Sequence, residues 1–389
     1  MRAAVDCRDA EEKEMEKRLE SIDVLRGFDM FFIMGFAGLV VQLCLAFGWG
    51  GDCWLAQQMR HPPWIGLTHH DTIFPLFVFI AGLSFPFSMA KQLERGRTKA
   101  QIAWRSLRRM AALILLGMLY ERFFMGTPFR FGSVLGRIGI SWACASWLFL
   151  AFGVRTRVGI AVGILLGYWA LNLFVPAPGF TSADVFTPQG NISCWLDRTL
   201  LVPLGRISPG TPELPIENQG LLSTFTAIVT AMLGMFAGEF TRATRDRLSG
   251  DRRTAILLAA AVSLAALGCL VAFGCGRWSF PVSKPLWSPS FVLLVGAYSV
   301  AIFALFHWLI DVKRWWRRTL FFRVIGLNAI TIYLAQPVFG LSSTSKLLFG
   351  RFAGLFPPPW AGVASAVAYI VTCWGLLYFL HHRQIYLKV

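Results

Sequence analysis

Apolar residues in this chain come as long uninterrupted blocks, not as the one-sided stripes of a soluble amphipathic helix. A block of about 20 such residues crosses the hydrocarbon core of a bilayer. Candidates lie at 24–47, 71–90, 108–124, 132–153, 157–176, 221–241, 254–274, 288–311, 319–340 and 361–381. Lipid offers the backbone no hydrogen-bond partner, so each block must be a helix; a closed barrel would show short alternating strands instead. The pattern predicts an all-α, polytopic helical membrane protein with about ten transmembrane helices.

The polar segments between the blocks set the direction of each span. Lys91, Arg95, Arg97, Lys99, Arg105, Arg108 and Arg109 follow the second block, and Arg155 and Arg157 the fourth. Arg242, Arg245, Arg247, Arg252 and Arg253 follow the sixth, Lys313, Arg314, Arg317 and Arg318 the eighth, and Arg383 and Lys388 the tenth. Basic segments stay cytoplasmic, so both termini are expected there, and the loops 48–70, 177–220 and 341–360 on the opposite face. Residues 1–20 mix both charge signs without a signal-peptide core and read as a cytoplasmic tail; 21–389 read as one membrane domain. The sequon Asn191-Ile192-Ser193 falls in an outer loop.

Composition changes this picture little. The net charge of +16 would suggest nucleic acid in a soluble protein, but its basic residues lie where membrane topology requires them, so no nucleic-acid partner is expected. The eight cysteines are scattered, without CxxC or Cys/His ligand spacing, which predicts neither a metal site nor a disulfide framework.

Candidate chemistry gathers at 61–84, HPPWIGLTHHDTIFPLFVFIAGLS, where polar groups stand immediately before a span. Thr68 and Asp71 have the spacing of a capping box at the start of that helix. A carboxylate fixed there can also orient a neighbouring imidazole. His61 precedes Pro62 and Pro63, which forbid a regular helix and hold an extended loop. His69 and His70 occupy the capping turn, and at least one should face water or headgroups. Asp23, Arg26 and Asp29 recur every third residue and line one face of the first span, either as an ion-pair stripe or as the wall of a polar vestibule. Arg137 lies about one turn inside the fourth span, able to snorkel outward. Asn328 is placed mid-span, where a buried amide needs partners, and Gln336 with Pro337 predicts a kink in the same helix.

Six ordered blocks carry a resemblance to a known family: RLESIDVLRGFDM, HPPWIGLTHHDTIFPLFVFIAG, SVLGRIGIS, QGLLSTFTAIVTAMLGMFAGE, PVSKPLWSPSFVL and GLNAITIYLAQ. Together they resemble the heparan-α-glucosaminide N-acetyltransferase family and its bacterial relatives, a branch of the transmembrane acyltransferases. The resemblance runs over nearly the whole chain after residue 17. It implies acetyl-CoA as cytosolic donor, transfer of the acetyl group to an amino sugar across the membrane, and His61 as the active-site histidine, within the block that also holds Trp64, Gly66, Leu67, Thr68 and Asp71. Two departures stand out. The extra N-terminal span and luminal region of the lysosomal enzymes have no counterpart here, and the family's active-site asparagine meets Ala37 in an ungapped alignment.

The resulting expectation is a membrane N-acetyltransferase of a bacterial inner membrane, with acetyl-CoA, an amino-sugar or polysaccharide acceptor and membrane lipids as partners; a homodimer is compatible with it. His61 is expected to be general base or transient acyl carrier, oriented by Asp71, with Trp64 facing the sugar. Arg137 and Asn328 are expected to hold the pantetheine or thioester carbonyl. Asp23, Arg26 and the basic 91–109 segment are expected to meet the CoA nucleotide at the cytoplasmic mouth. Two rivals remain: a sugar or amino-sugar transporter, disfavoured by the lack of a repeat of paired broken helices, and an O-acyltransferase of an envelope polysaccharide.

Overall fold

The computed structural model describes residues 19–124, 126, 132–201 and 219–387. Most of the expected N-terminal tail and Lys388 therefore lie outside the described residues. Among those described, the chain is helical without strands, apart from one isolated bridge between Pro176 and Asn191.

Among the described residues, eight helices are long and apolar enough to cross a bilayer. They are α1 (Glu20–Ala46), α3 (His69–Glu94), α5 (Val134–Ala151), α6 (Val154–Phe174), α8 (Leu221–Ala243), α9 (Gly250–Gly274), α10 (Pro289–Val312) and α14 (Pro358–His382). The short α2 (Trp54–Gln57) lies between the first two. A bent pair, α11 (Leu320–Leu327) and α12 (Ala329–Val338), makes a ninth if it counts as one span. The expected third span is the helix α4 (Lys99–Phe124), which has the length. Lys99, Arg105, Arg108, Arg109, Glu121 and Arg122 leave it less apolar than the others. All three segments read as outer loops contain helices: α2, α7 (Ile192–Leu201) and α13 (Leu341–Ala353).

The kink expected at Gln336 and Pro337 is placed differently. Pro337 sits in the last turn of α12, whereas the chain bends by 73° at Asn328, whose backbone leaves the helical region (φ −117°, ψ 24°). A proline within one turn of a helix end has little helix left to bend. The first span is also interrupted: a π-helical turn over Phe32–Phe36 contains Gly35 at φ 123°, a conformation that side chains other than glycine rarely adopt.

The helix carrying the candidate site is held mainly by its crossing with α8. Gly234 and Gly238 form a small-xxx-small stripe there, and a Cβ at 234 would lie 2.0 Å from the Phe79 carbonyl oxygen of α3. Val78, Phe79, Ile80 and Leu83 of α3 are fully buried around this contact. Gly234→Val is therefore expected to force the two backbones apart at a cost of roughly 3 kcal/mol. Size-exclusion chromatography should show loss of the folded peak; an unchanged profile and melting temperature would show that the crossing tolerates a side chain.

Asn191 of the sequon is fully buried, donates to the Val185 carbonyl at 2.7 Å and accepts from the Ser193 amide. Its amide serves the fold and is closed to a glycosylating enzyme.

Candidate active site

Helix α3 starts at His69 because Thr68 is extended (φ −115°, ψ 167°) and caps it. Asp71, at the third helical position, accepts from the Thr68 backbone N–H at 3.2 Å, while the Thr68 hydroxyl donates to the Arg60 carbonyl at 2.7 Å. A second strap comes from Gln58: its side-chain oxygen accepts from the His69 amide at 3.1 Å and its backbone oxygen from the His70 amide at 3.0 Å. The amides at the helix start are thus used to fix the preceding loop, and the carboxylate lies at the end of the helix that favours negative charge.

The loop between the two straps is rigid for stated reasons. Pro62 and Pro63 restrict it, and the Gly66 N–H donates to the Val282 carbonyl at 2.8 Å, tying it to the loop that precedes α10. Trp64 donates its indole N–H to the Phe186 carbonyl at 2.7 Å and packs against the cluster around Phe280 and Tyr168. Trp64 therefore acts first as an anchor. Its ring is half-buried.

These constraints bring His61 onto Asp71. The imidazole Nδ1 is 2.6 Å from Asp71 Oδ1, with the carboxylate fully buried and the His61 side chain 51% exposed. Lys284 completes the group: its Nζ lies 3.4 Å from the same carboxylate oxygen and 3.3 Å and 3.5 Å from the two imidazole nitrogens. Burial pushes the Lys284 ammonium below its usual range, an effect opposed by Asp71 and reinforced by Arg137. The His70 ring backs His61 at 4.6 Å between centroids.

Sequence reasoning did not single out Lys284. It lies within the quoted PVSKPLWSPSFVL block, and a lysine between prolines just before a span is the signal that was available. The same loop holds Trp287 at φ 48°, fully buried, with its indole N–H on Thr230 at 3.0 Å and its ring against Phe74 of α3. A bulky residue in that region stores strain that the surrounding packing must hold. Lys284→Met would remove the cation from the buried Asp71 and is expected to cost about 3–5 kcal/mol, as breaking a buried ion pair does. A lowered melting temperature checks this, and an unchanged one would leave Lys284 a bystander.

Arg137 does not snorkel. It is 1% exposed, donates to the Gly220 carbonyl at 3.2 Å and to the Ser223 hydroxyl, and stacks over Trp287 at 4.9 Å. Asp23 and Arg26 do meet, at 3.5 Å, and Arg26 also donates to Ser84 of α3 at 3.4 Å. Asn328 is 1% exposed at the α11–α12 break; its Nδ2 donates to the Val324 carbonyl at 3.4 Å, while its Oδ1 has no partner among the described residues. The sequence-predicted residues thus separate into two groups, His61, Asp71 and Trp64 with Arg137 nearby, and Asp23, Arg26 and Asn328.

Further polar groups lie beyond these, among them Asp29 of the stripe read as a possible vestibule wall; its company with His69 and Tyr298 was not visible in the sequence. His69 Nε2 is 3.2 Å from the Tyr298 hydroxyl, and the His69 ring packs on Phe32 of the first span at 4.4 Å. Asp29 is buried within electrostatic reach of Tyr298, and its Oδ2 has no partner among the described residues. At the basic end, Arg109 lies over the Trp142 ring at 4.6 Å, with its buried Nε also without a partner there. Among the described residues no group of three or more His, Cys, Asp or Glu side chains could hold a metal ion.

The chain is similar to the heparan-alpha-glucosaminide N-acetyltransferase of Homo sapiens, 28% identical over 376 residues, covering 83% of this chain and 53% of the human protein. The Mus musculus protein of the same name is 27% identical over 370 residues, covering 82% and 53%. The chain spans about half the length of these curated relatives. No protein-family model matches it.

Proposed function

From its family-level relationship to the heparan-alpha-glucosaminide N-acetyltransferases, we propose that this multi-pass membrane protein transfers an acetyl group from cytosolic acetyl-CoA to an amino sugar on the opposite side of a bacterial inner membrane. The observation that carries the reading is the half-exposed His61 imidazole held at 2.6 Å by a fully buried carboxylate.

The chemistry follows from that pair. With Asp71 accepting from Nδ1–H, the lone pair of His61 is fixed on Nε2, which lies 3.5 Å from Lys284 Nζ. The amino-sugar nitrogen attacks the thioester carbonyl, His61 Nε2 takes the amine proton, and the C–S bond breaks to release CoA as a thiolate, which recovers that proton from the imidazolium. Asp71 stabilises the imidazolium formed in that step. Lys284, beside both groups, supplies a positive charge for the oxyanion as it develops.

The donor enters from the basic end. Arg26 and Arg109, the latter with a buried Nε awaiting an acceptor, suit the phosphates of CoA, which would not cross hydrocarbon. Asp23 positions Arg26 for this, and the unpartnered oxygen of Asn328 offers an acceptor to a pantetheine amide on the way outward. Arg137 acts through Trp287, holding the loop that presents Lys284, since its guanidinium is already engaged there. Trp64 borders the acceptor side.

The test uses purified protein with acetyl-CoA and glucosamine, following CoA release. Turnover dependent on both substrates supports the assignment. Turnover with a hydroxyl acceptor instead of glucosamine would make it an O-acyltransferase, and glucosamine uptake without acetylation would make it a carrier.

A further inference from the structure

We propose that Cys44 and Cys53 form a disulfide site at the end of the first span, closed by a disulfide-exchange oxidant such as glutathione disulfide. Cys44 is fully buried near the end of α1, and Cys53 caps α2, its Sγ accepting from the Ala56 N–H at 3.5 Å. Both cysteines lie in one small cluster with Val40, Ala56 and Met59, near enough for each thiol to influence the other. Two thiols packed in one such cluster across a short loop are candidates for bonding, provided their Cβ atoms can approach.

The reactivity of the two cysteines differs in a way that sets the order of steps. The Ala56 amide, assisted by the Cys44 thiol, holds the Cys53 thiol below its ordinary range. Thiolates are the attacking species in exchange, so Cys53 reacts first. Its sulfur attacks one sulfur of the oxidant, forming a mixed disulfide and releasing one thiolate, which takes up a proton. Cys44 then loses its proton and attacks the Cys53 sulfur, releasing the second thiolate. Two protein thiols are oxidised and one oxidant disulfide is reduced to two thiols.

The bond would tie the end of α1 to the strap of the candidate site. Only one residue separates Gln57, the end of α2, from Met59, and that residue is Gln58, whose oxygens hold the His69 and His70 amides. Arg60, immediately before His61, anchors Thr68. No span intervenes between Ala46 and His69, so the pair shares the compartment that His61 faces, and an oxidising compartment would close it.

The purified full chain is incubated with glutathione disulfide, alkylated, digested and mapped by mass spectrometry. The peptides holding Cys44 and Cys53 are expected to appear joined, each short of one hydrogen, with alkylation lost at both positions. In Cys44→Ser, Cys53 should instead stay alkylatable or carry a glutathione adduct. Dithiothreitol should lower the melting temperature of the oxidised protein, and Cys53→Ser, at a partly exposed position, should abolish that difference while still folding. Persistence of both free thiols in protein that elutes as folded, or a bond from Cys53 to any other cysteine, overturns the proposal. The mapping reads neither acetyl transfer nor membrane orientation, so its result is separate from that of the enzymatic assay.

Discussion

His61→Ala is expected to lower kcat for acetyl transfer from acetyl-CoA to glucosamine by roughly 10²–10⁴-fold, the contribution of a positioned general base. The loss should fall on kcat and kcat/KM alike, because the proton is taken in the transition state and not in substrate binding. Folding should be nearly unaffected, since the His61 side chain is half exposed and its loop is held by Trp64, Gly66 and Thr68. Steady-state CoA release and a melting curve on the same preparation separate the two effects. Wild-type turnover by folded His61→Ala protein would remove this residue from the chemistry.

Asp71→Asn carries the second large effect, and it acts on two levels. An amide in place of the carboxylate can donate to Nδ1, which moves the imidazole proton to Nε2 and leaves no base facing the acceptor. The corresponding substitution in the serine-protease triad, a different fold with the same orienting carboxylate, costs about 10⁴ in kcat. A similar loss is expected here. The variant also leaves Lys284 beside a neutral group in a buried position, and breaking such a pair costs about 3–5 kcal/mol. The melting temperature of Asp71→Asn should therefore fall where that of His61→Ala does not. A variant that is destabilised yet fully active would assign Asp71 to helix capping alone.

The contrast between these two variants reflects what the chain itself discloses. Thr68 and Asp71 are three residues apart, Pro62 and Pro63 stiffen the loop before them, and both facts are local; the start of α3 and the reach of His61 were therefore readable without coordinates. Helix placement was equally readable, because uninterrupted apolar blocks leave the backbone no alternative in lipid. The charged helix Lys99–Phe124 marks the limit of that reading, since its length says span and its arginines say interface.

Long-range partners were not readable. Lys284 lies more than two hundred residues from His61 in sequence and reaches it only because Gly66 bonds to Val282 and Arg137 fixes Trp287. Arg137 looked free to snorkel because nothing near it in sequence announces the Gly220 carbonyl and Ser223 hydroxyl that hold it. The bend at Asn328 was hidden by Pro337, whose ring has little effect one turn from a helix end, while an amide that bonds its own helix backbone gives no such warning. The polar interior of Asp29, Tyr298 and His69 comes from three helices, α1, α10 and α3, and could be assembled only by their packing.

The proposed transfer requires a route through that interior, from the basic end with Arg26 and Arg109 to the His61 imidazole. The most direct measurement seals acetyl-CoA inside proteoliposomes and supplies glucosamine outside alone. N-acetylglucosamine is expected in the external medium and CoA retained within, from vesicles in which position 61, as cysteine in a parallel cysteine-free preparation, reacts with an impermeant thiol reagent added outside. Product formed only when donor and acceptor share one compartment would contradict it.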